Sequence, residues 1–226
     1  MVTAIQAKSE VSQKIVLQGI SWGTYEALVR ELESQPGKRM TYDNGILEIF
    51  MPLPPHEKNK KYLARFVELV TEELGIEICS LGSSTWSRKD LAKGVEADEC
   101  YYIQHEAAVR NKMRIDLTVE PPPDLAIEVD VTSLSLPRLP IYGALGVPEV
   151  WRFDGEQIVL LSWAEGRYRA MDRSLALPIV TVEGLQVWLK KAQEMGETSW
   201  AKAVRGWAKV EAEKRMASVM DSDELS

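Results

Sequence analysis

Along residues 56–74 the apolar side chains return at helical spacing: Leu63, Phe66, Val67, Val70 and Leu74 fall on one stripe among charged neighbours. That spacing predicts a core-facing helix over residues 56–74, entered after the breaks at Pro52, Pro54 and Pro55. Another helix is predicted over 22–33, with Ser21 as N-cap and Gln35-Pro36-Gly37 as its stop. Elsewhere the alternation shortens to period two. Residues 15–17 read as a short strand, and 39–42 with 46–50 as a hairpin closed by Asp43-Asn44-Gly45, because Asn-Gly tolerates the positive φ angles of a tight turn. Short strands follow at 76–79, 85–87, 98–103 and 125–131. A Lys93-Gly94 turn and the Glu120-Pro121-Pro122-Pro123 break punctuate them, and 104–119 reads as an irregular polar connection. A helix over 136–145, blurred at its start by Pro137 and Pro140, ends at Gly146 ahead of Pro148. A meander over 149–153, 158–163 and 168–171 turns at Asp154-Gly155 and Glu165-Gly166. It precedes helices at 183–193 and 199–214, and residues 221–226 are expected to fray.

The strand starting at Pro123-Asp124 carries the candidate chemistry. Period two sends Leu125, Ile127, Val129 and Val131 to one face and Asp124, Glu128 and Asp130, with Ala126, to the other. Carboxylates this close repel one another, so a compensating cation is expected, commonly a divalent metal. A sheet edge whose outer face is merely wet explains the same pattern. The strand at 98–103 adds a second acid: Asp98, Cys100 and Tyr102 share a face, so Asp98 meets Glu128 if the two strands pair. One Asp and one Glu, completed by waters, suit Mg²⁺ and the hydrolysis of a phosphodiester. Arg138 lies four residues before Tyr142 on the following helix, so both share a face and Arg138 can be turned toward the carboxylates. A salt bridge from Arg138 to Asp130 is the plainer alternative.

Composition narrows the partners. The 226 residues carry a net charge of −7, which argues against a general nucleic-acid coat protein but not against an enzyme with a local basic surface. Lys58, Lys60 and Lys61, and Arg110, Lys112 and Arg114, are the candidate clusters. No apolar run approaches the roughly 20 residues needed to span a bilayer, and the N-terminus lacks a secretory h-region, so a cytoplasmic location is expected. Cys79 and Cys100 are read as small packing side chains, and Trp151 as core.

The run Pro123-Asp124-Leu125-Ala126-Ile127-Glu128-Val129, followed by Arg138, Tyr142 and Gly146-Val147-Pro148-Glu149-Val150-Trp151, resembles the Uma-two family of proposed restriction endonucleases in the PD-(D/E)XK nuclease superfamily. The likeness extends over most of the chain. It implies an α+β or α/β restriction-endonuclease-like core, a mixed central sheet flanked by helices, with an N-terminal helix and hairpin. That domain would occupy residues 1–182, and 183–226 would form a C-terminal helical extension. The implied activity is DNA hydrolysis with Mg²⁺, or Mn²⁺ in its place, by a homodimer, since double-strand cleavage generally needs two sites. Asp98 and Glu128 take the place of the metal-binding acids, and Arg138 that of a lysine displaced from strand to helix. Two departures stand out: Ala97 replaces the proline before the aspartate, and Arg138 replaces the lysine; Asp130 occupies the usual position of the strand lysine. The superfamily's helix acid falls to Glu57 or Glu68, with His56 beside it on the inward face. Asp124 is read as fixing the strand entry. A nuclease-fold module acting in protein or nucleic-acid interaction, with catalysis impaired by Arg138, is the alternative.

Overall fold

The computed structural model describes residues 13–32, 37–51, 54–129 and 136–223. Its elements run β1 (Gln13–Leu17), α1 (Trp22–Leu32), β2 (Arg39–Asp43), β3 (Ile46–Met51), α2 (Pro54–Leu74), β4 (Cys79–Ser80), β5 (Thr85–Arg88), β6 (Lys93–Glu96), β7 (Glu99–Tyr102) and α3 (Glu106–Val109). After these come β8 (Leu125–Val129), α4 (Arg138–Leu145), β9 (Glu149–Phe153), β10 (Ile158–Ala164), β11 (Arg167–Met171), α5 (Val182–Glu194) and α6 (Glu197–Asp223). They form an α+β architecture of two sheets, ordered β1-β3-β2-β6-β5 and β11-β10-β9-β8-β7-β4.

Local chemistry accounts for most of this. Ser21 caps α1 by accepting the Thr24 amide at 3.2 Å. Asn44 and Gly45 take φ of 47° and 88°, so the β2–β3 hairpin closes in a two-residue turn. Among the described residues the strand pairs are antiparallel except β8 with β9, which is parallel. A parallel pair needs a crossover, and α4 supplies it. Gly146 ends α4 in the left-handed region at φ 86°.

Each face of the second sheet is covered. Leu125, Ile127, Val129, Trp151 and Phe153 pack under α2, α5 and α6, through Leu63, Phe66, Val70, Trp188 and Trp200. On the other face Cys100, Tyr102, Ala126 and Val150 meet Ile141, Tyr142 and Leu145 of α4, together with Trp86 and Val95 of the first sheet. α4 therefore lies between the sheets. Close contact is built in at Gly143, where a Cβ would stand 2.1 Å from the Trp163 ring. Tyr25 of α1 completes a third cluster with Met40, Tyr42 and Leu47.

Several expected boundaries move. Lys93-Gly94 belongs to strand β6 rather than to a turn, and the chain reverses one step earlier, at Ala92 with φ 49°. Of residues 76–79, only Cys79 enters a strand, and a short helix, α3, interrupts the polar connection. The helix expected from residue 136 starts at Arg138, because Pro137 takes an extended conformation. α6 continues to Asp223, past the point where fraying was expected. Among the described residues no helix is long and apolar enough to cross a membrane.

Candidate active site

The strand β8 is central, flanked by β7 and β9, and buried along its whole length, which rules out the wet sheet edge. In the β7–β8 register Glu99 faces Ile127 and Cys100 faces Ala126. Continuing that register by one step sets Asp98, just before β7, level with Glu128. Both acids point to the α4 side. Arg138 in the first turn of α4 and Tyr142 one turn on then face the same carboxylate.

Asp98 is held by three donors. Its Oδ2 accepts the Val129 amide at 2.9 Å and His56 Nε2 at 3.0 Å, and its Oδ1 accepts Arg39 Nε at 3.3 Å. Glu128 Oε2 accepts Arg138 Nη1 at 2.5 Å, and Oε1 accepts the Tyr142 hydroxyl. Arg138 also donates from Nε to Thr41 Oγ1 on β2 at 3.1 Å, so it ties the two sheets together, while its Nη2 is buried without a hydrogen-bond partner. Arg39 reaches outward to Glu96 at 3.3 Å and Glu57 at 3.6 Å.

Burial raises the pKa of both acids, with opposite outcomes. At Asp98 burial is outweighed by the hydrogen bond and charge of His56, the charge of Arg138 and the Val129 amide, and the carboxyl titrates below its ordinary value. At Glu128 burial wins, reinforced by the Asp98 charge and opposed by Arg138, and the carboxyl is pushed up to about 7. Burial works against the charge on Arg138, but Glu128 and Asp98 overcome it and the guanidinium stays protonated.

The compensating cations anticipated for these acids are therefore present as side chains. Among the described residues no group of three or more His, Cys, Asp or Glu side chains converges to hold a metal ion. Asp98 and Glu128 nonetheless fit a hard divalent cation in donor chemistry: two carboxylates side by side, beside a cation that already sits on Glu128. An ion there would take the place of the Arg138 contact.

Of the other candidates, His56 and Tyr142 join the constellation, the first on Asp98 and the second on Glu128. Glu57 lies at its rim, partly exposed, near Arg39 and 4.0 Å from Lys60. Asp124 does not join. It precedes β8, about 13 Å along the strand from Glu128, where its Oδ2 accepts the Ile103 and His105 amides at 2.7 and 3.0 Å. Glu68 lines a separate small pocket with Lys61 and Arg65. Asp130, and with it the alternative salt bridge to Arg138, lies outside the described residues.

Sequence reasoning missed Arg39, Thr41 and Glu96. Arg39 and Thr41 alternate on a hairpin strand with no local sign of a distant acid, whereas Glu96, two residues before Asp98, offered a signal in its spacing. Arg39, Glu57, Lys60 and Glu96 line a cleft of about 1020 Å³ that opens outside the acid pair.

A family model described as "Putative restriction endonuclease", Uma2, matches residues 22–190. No curated protein matches the chain. Among solved structures, one described as a "putative nuclease belonging to DUF820" from Anabaena variabilis is 14% identical, with 66% of this chain and 90% of that chain covered and a TM-score of 0.46.

Proposed function

Since the chain belongs to the Uma2 family of restriction-endonuclease-like proteins, we propose that it hydrolyses DNA phosphodiester bonds with Mg²⁺, or Mn²⁺ in its place, and works as a homodimer. One observation carries this reading: Asp98 and Glu128, from separate segments, come level at the end of the β7–β8 pair beneath a cleft with basic walls. Asp98 and Glu128 would hold the ion, which when bound would polarise the phosphate and lower the pKa of an attacking water. His56, Arg39 and the Val129 amide keep Asp98 oriented and ionised. Arg138, released from Glu128, would place its charge and its unpaired Nη2 toward a phosphate oxygen. It stays protonated, so it offers no general base.

The test is nicking of supercoiled plasmid by the full chain in Mg²⁺ and in EDTA. Asp98→Asn and Glu128→Gln should each abolish metal-dependent nicking while the fold, followed by circular dichroism, persists. Cleavage that survives both substitutions overturns the assignment. A second reading, a nuclease fold without catalysis, is favoured by the direct Arg138–Glu128 contact. It requires that calorimetry with Mn²⁺ give no saturable heat, and heat lost in Glu128→Gln excludes it.

A further inference from the structure

The chain is acidic, but its large cleft is not. Six basic side chains line it, Arg30, Lys38, Arg39, Lys60, Lys112 and Arg114, against three acidic ones, Glu26, Glu57 and Glu96. Two of those acids, Glu57 and Glu96, are already engaged by Arg39. The two basic clusters visible in the sequence divide here. Lys60, Lys112 and Arg114 reach the cleft, whereas Lys58 and Lys61 line the separate pocket on α2 and Arg110 is bound by Glu106 at 2.6 Å.

Among the cleft cations the state of pairing differs. Lys60 contacts Glu99 at 3.4 Å and Lys112 contacts Glu120 at 2.5 Å, so both are neutralised in place. Arg30 on α1 and Arg114 on the connection after α3 have no hydrogen bond or ion pair among the described residues. Between Lys112 and Arg114 stands Met113, 98% exposed and also part of the cleft wall. Hydroxyl groups of Ser83, Thr85 and Ser87 lie in the same wall.

Two unpaired guanidinium groups and an exposed apolar tip in the wall of one cleft, with hydroxyls nearby, match the chemistry of a duplex: phosphates for the cations and hydroxyls, a base step for the apolar side chain. We propose that this cleft takes the backbone of duplex DNA, with Arg30 and Arg114 as phosphate contacts and Met113 wedged between base steps from the adjoining groove. The proposal rests on the DNA-directed reading above and adds the surface that holds the duplex. The path past Arg39 and Glu96 then brings a phosphate toward Asp98 and Glu128.

The test is binding of a fluorescently labelled short duplex by the full chain in EDTA, so that no cleavage intervenes, at a series of salt concentrations. Arg30→Ala and Arg114→Ala should each weaken binding several-fold and reduce the slope of log affinity against log salt by about 1. Lys58→Ala and Lys61→Ala serve as charge controls and should leave both unchanged. Met113→Ala should keep the salt slope and lose the fluorescence rise of a 2-aminopurine placed in the duplex, which reports unstacking. Wild-type affinity and slope in both arginine variants overturn the proposal while leaving DNA as substrate intact, since the duplex then lies elsewhere. A wild-type chain that ignores the duplex but binds phosphatidylserine vesicles through the same arginines overturns both. Equal losses from the control lysines overturn the assignment of the cleft alone, because they reveal diffuse attraction.

Discussion

The chain has two histidines, and each is bonded to a buried aspartate. The similarity ends there. Asp124 takes two backbone amides, from Ile103 and His105, and its histidine partner is half exposed, at 53%. Asp98 takes a single amide, from Val129, and completes its shell with buried His56 and Arg39. A backbone amide has one place to be, so Asp124 fastens a loop to the start of β8. Side-chain donors can leave, so Asp98 belongs to a network that a ligand can rearrange. Fixed backbone donors hold Asp124 in a folding role, whereas Asp98 rests mainly on side-chain donors, which under the proposed function a bound ion would rearrange.

The largest test removes a movable cation. Arg138→Ala leaves Glu128 buried beside Asp98 without its partner, and breaking a buried pair in this way costs about 3–5 kcal/mol. Urea unfolding measures it. Glu128 is already pushed up to about 7 from an ordinary 4.5, so the wild-type fold loses stability as pH rises between those values. Without Arg138 the folded-state value climbs further, and the loss extends to higher pH. The cost of the substitution should therefore be larger at alkaline pH than in mild acid, and Glu128→Gln on the Arg138→Ala background should restore part of it. A cost that does not vary with pH would place Arg138 among the purely structural contacts, erasing the distinction drawn from Asp98 and Asp124.

A middle-sized effect is expected at His56. Its ring is 2% exposed and its bond to Asp98 is buried, so His56→Ala strips one donor from an acid that water reaches poorly. The expected cost is about 1–3 kcal/mol, read from the same unfolding curves. His56→Gln, which can still donate to Asp98, should recover most of it. Failure of the glutamine to recover anything would show that ring packing against Phe50, not the hydrogen bond, is what His56 contributes.

Much of this arrangement could be read before any coordinates, and the reasons are local. The helical stripe of α2, the Asn44-Gly45 turn and the two-residue alternation of β7 and β8 are properties of short windows, and the last of these was enough to set Asp98 against Glu128. His56 and Tyr142 followed from helix spacing. Arg39 and Thr41 did not, because their partners, Asp98 beside β7 and Arg138 on α4, lie far along the chain and sequence distance carries no trace of that. Gly94 misled for a different reason. It is a glycine because a Cβ would stand 2.1 Å from the Tyr25 hydroxyl, a demand of packing between α1 and β6 that resembles a turn signal when only neighbours are visible. Of the cations answering the clustered acids, Arg138 was legible from its helix spacing with Tyr142, whereas Arg39 comes from β2 and was not.

The smallest effect belongs to the other pair, and it is the most direct check on the comparison. His105→Ala removes a half-exposed ring from Asp124 but leaves both amides, from Ile103 and from residue 105 itself, in place. Water can fill the vacated position on Oδ1, so the loss should be no more than about 1 kcal/mol, in the range of exposed ion pairs. Asp124→Ala on the same scale should cost more than His105→Ala, since it orphans two amides at once. If His105→Ala instead proves as costly as His56→Ala, the backbone amides are not what secures Asp124. Exposure of the partner would then be no guide to which of the two aspartates is built for folding and which for chemistry.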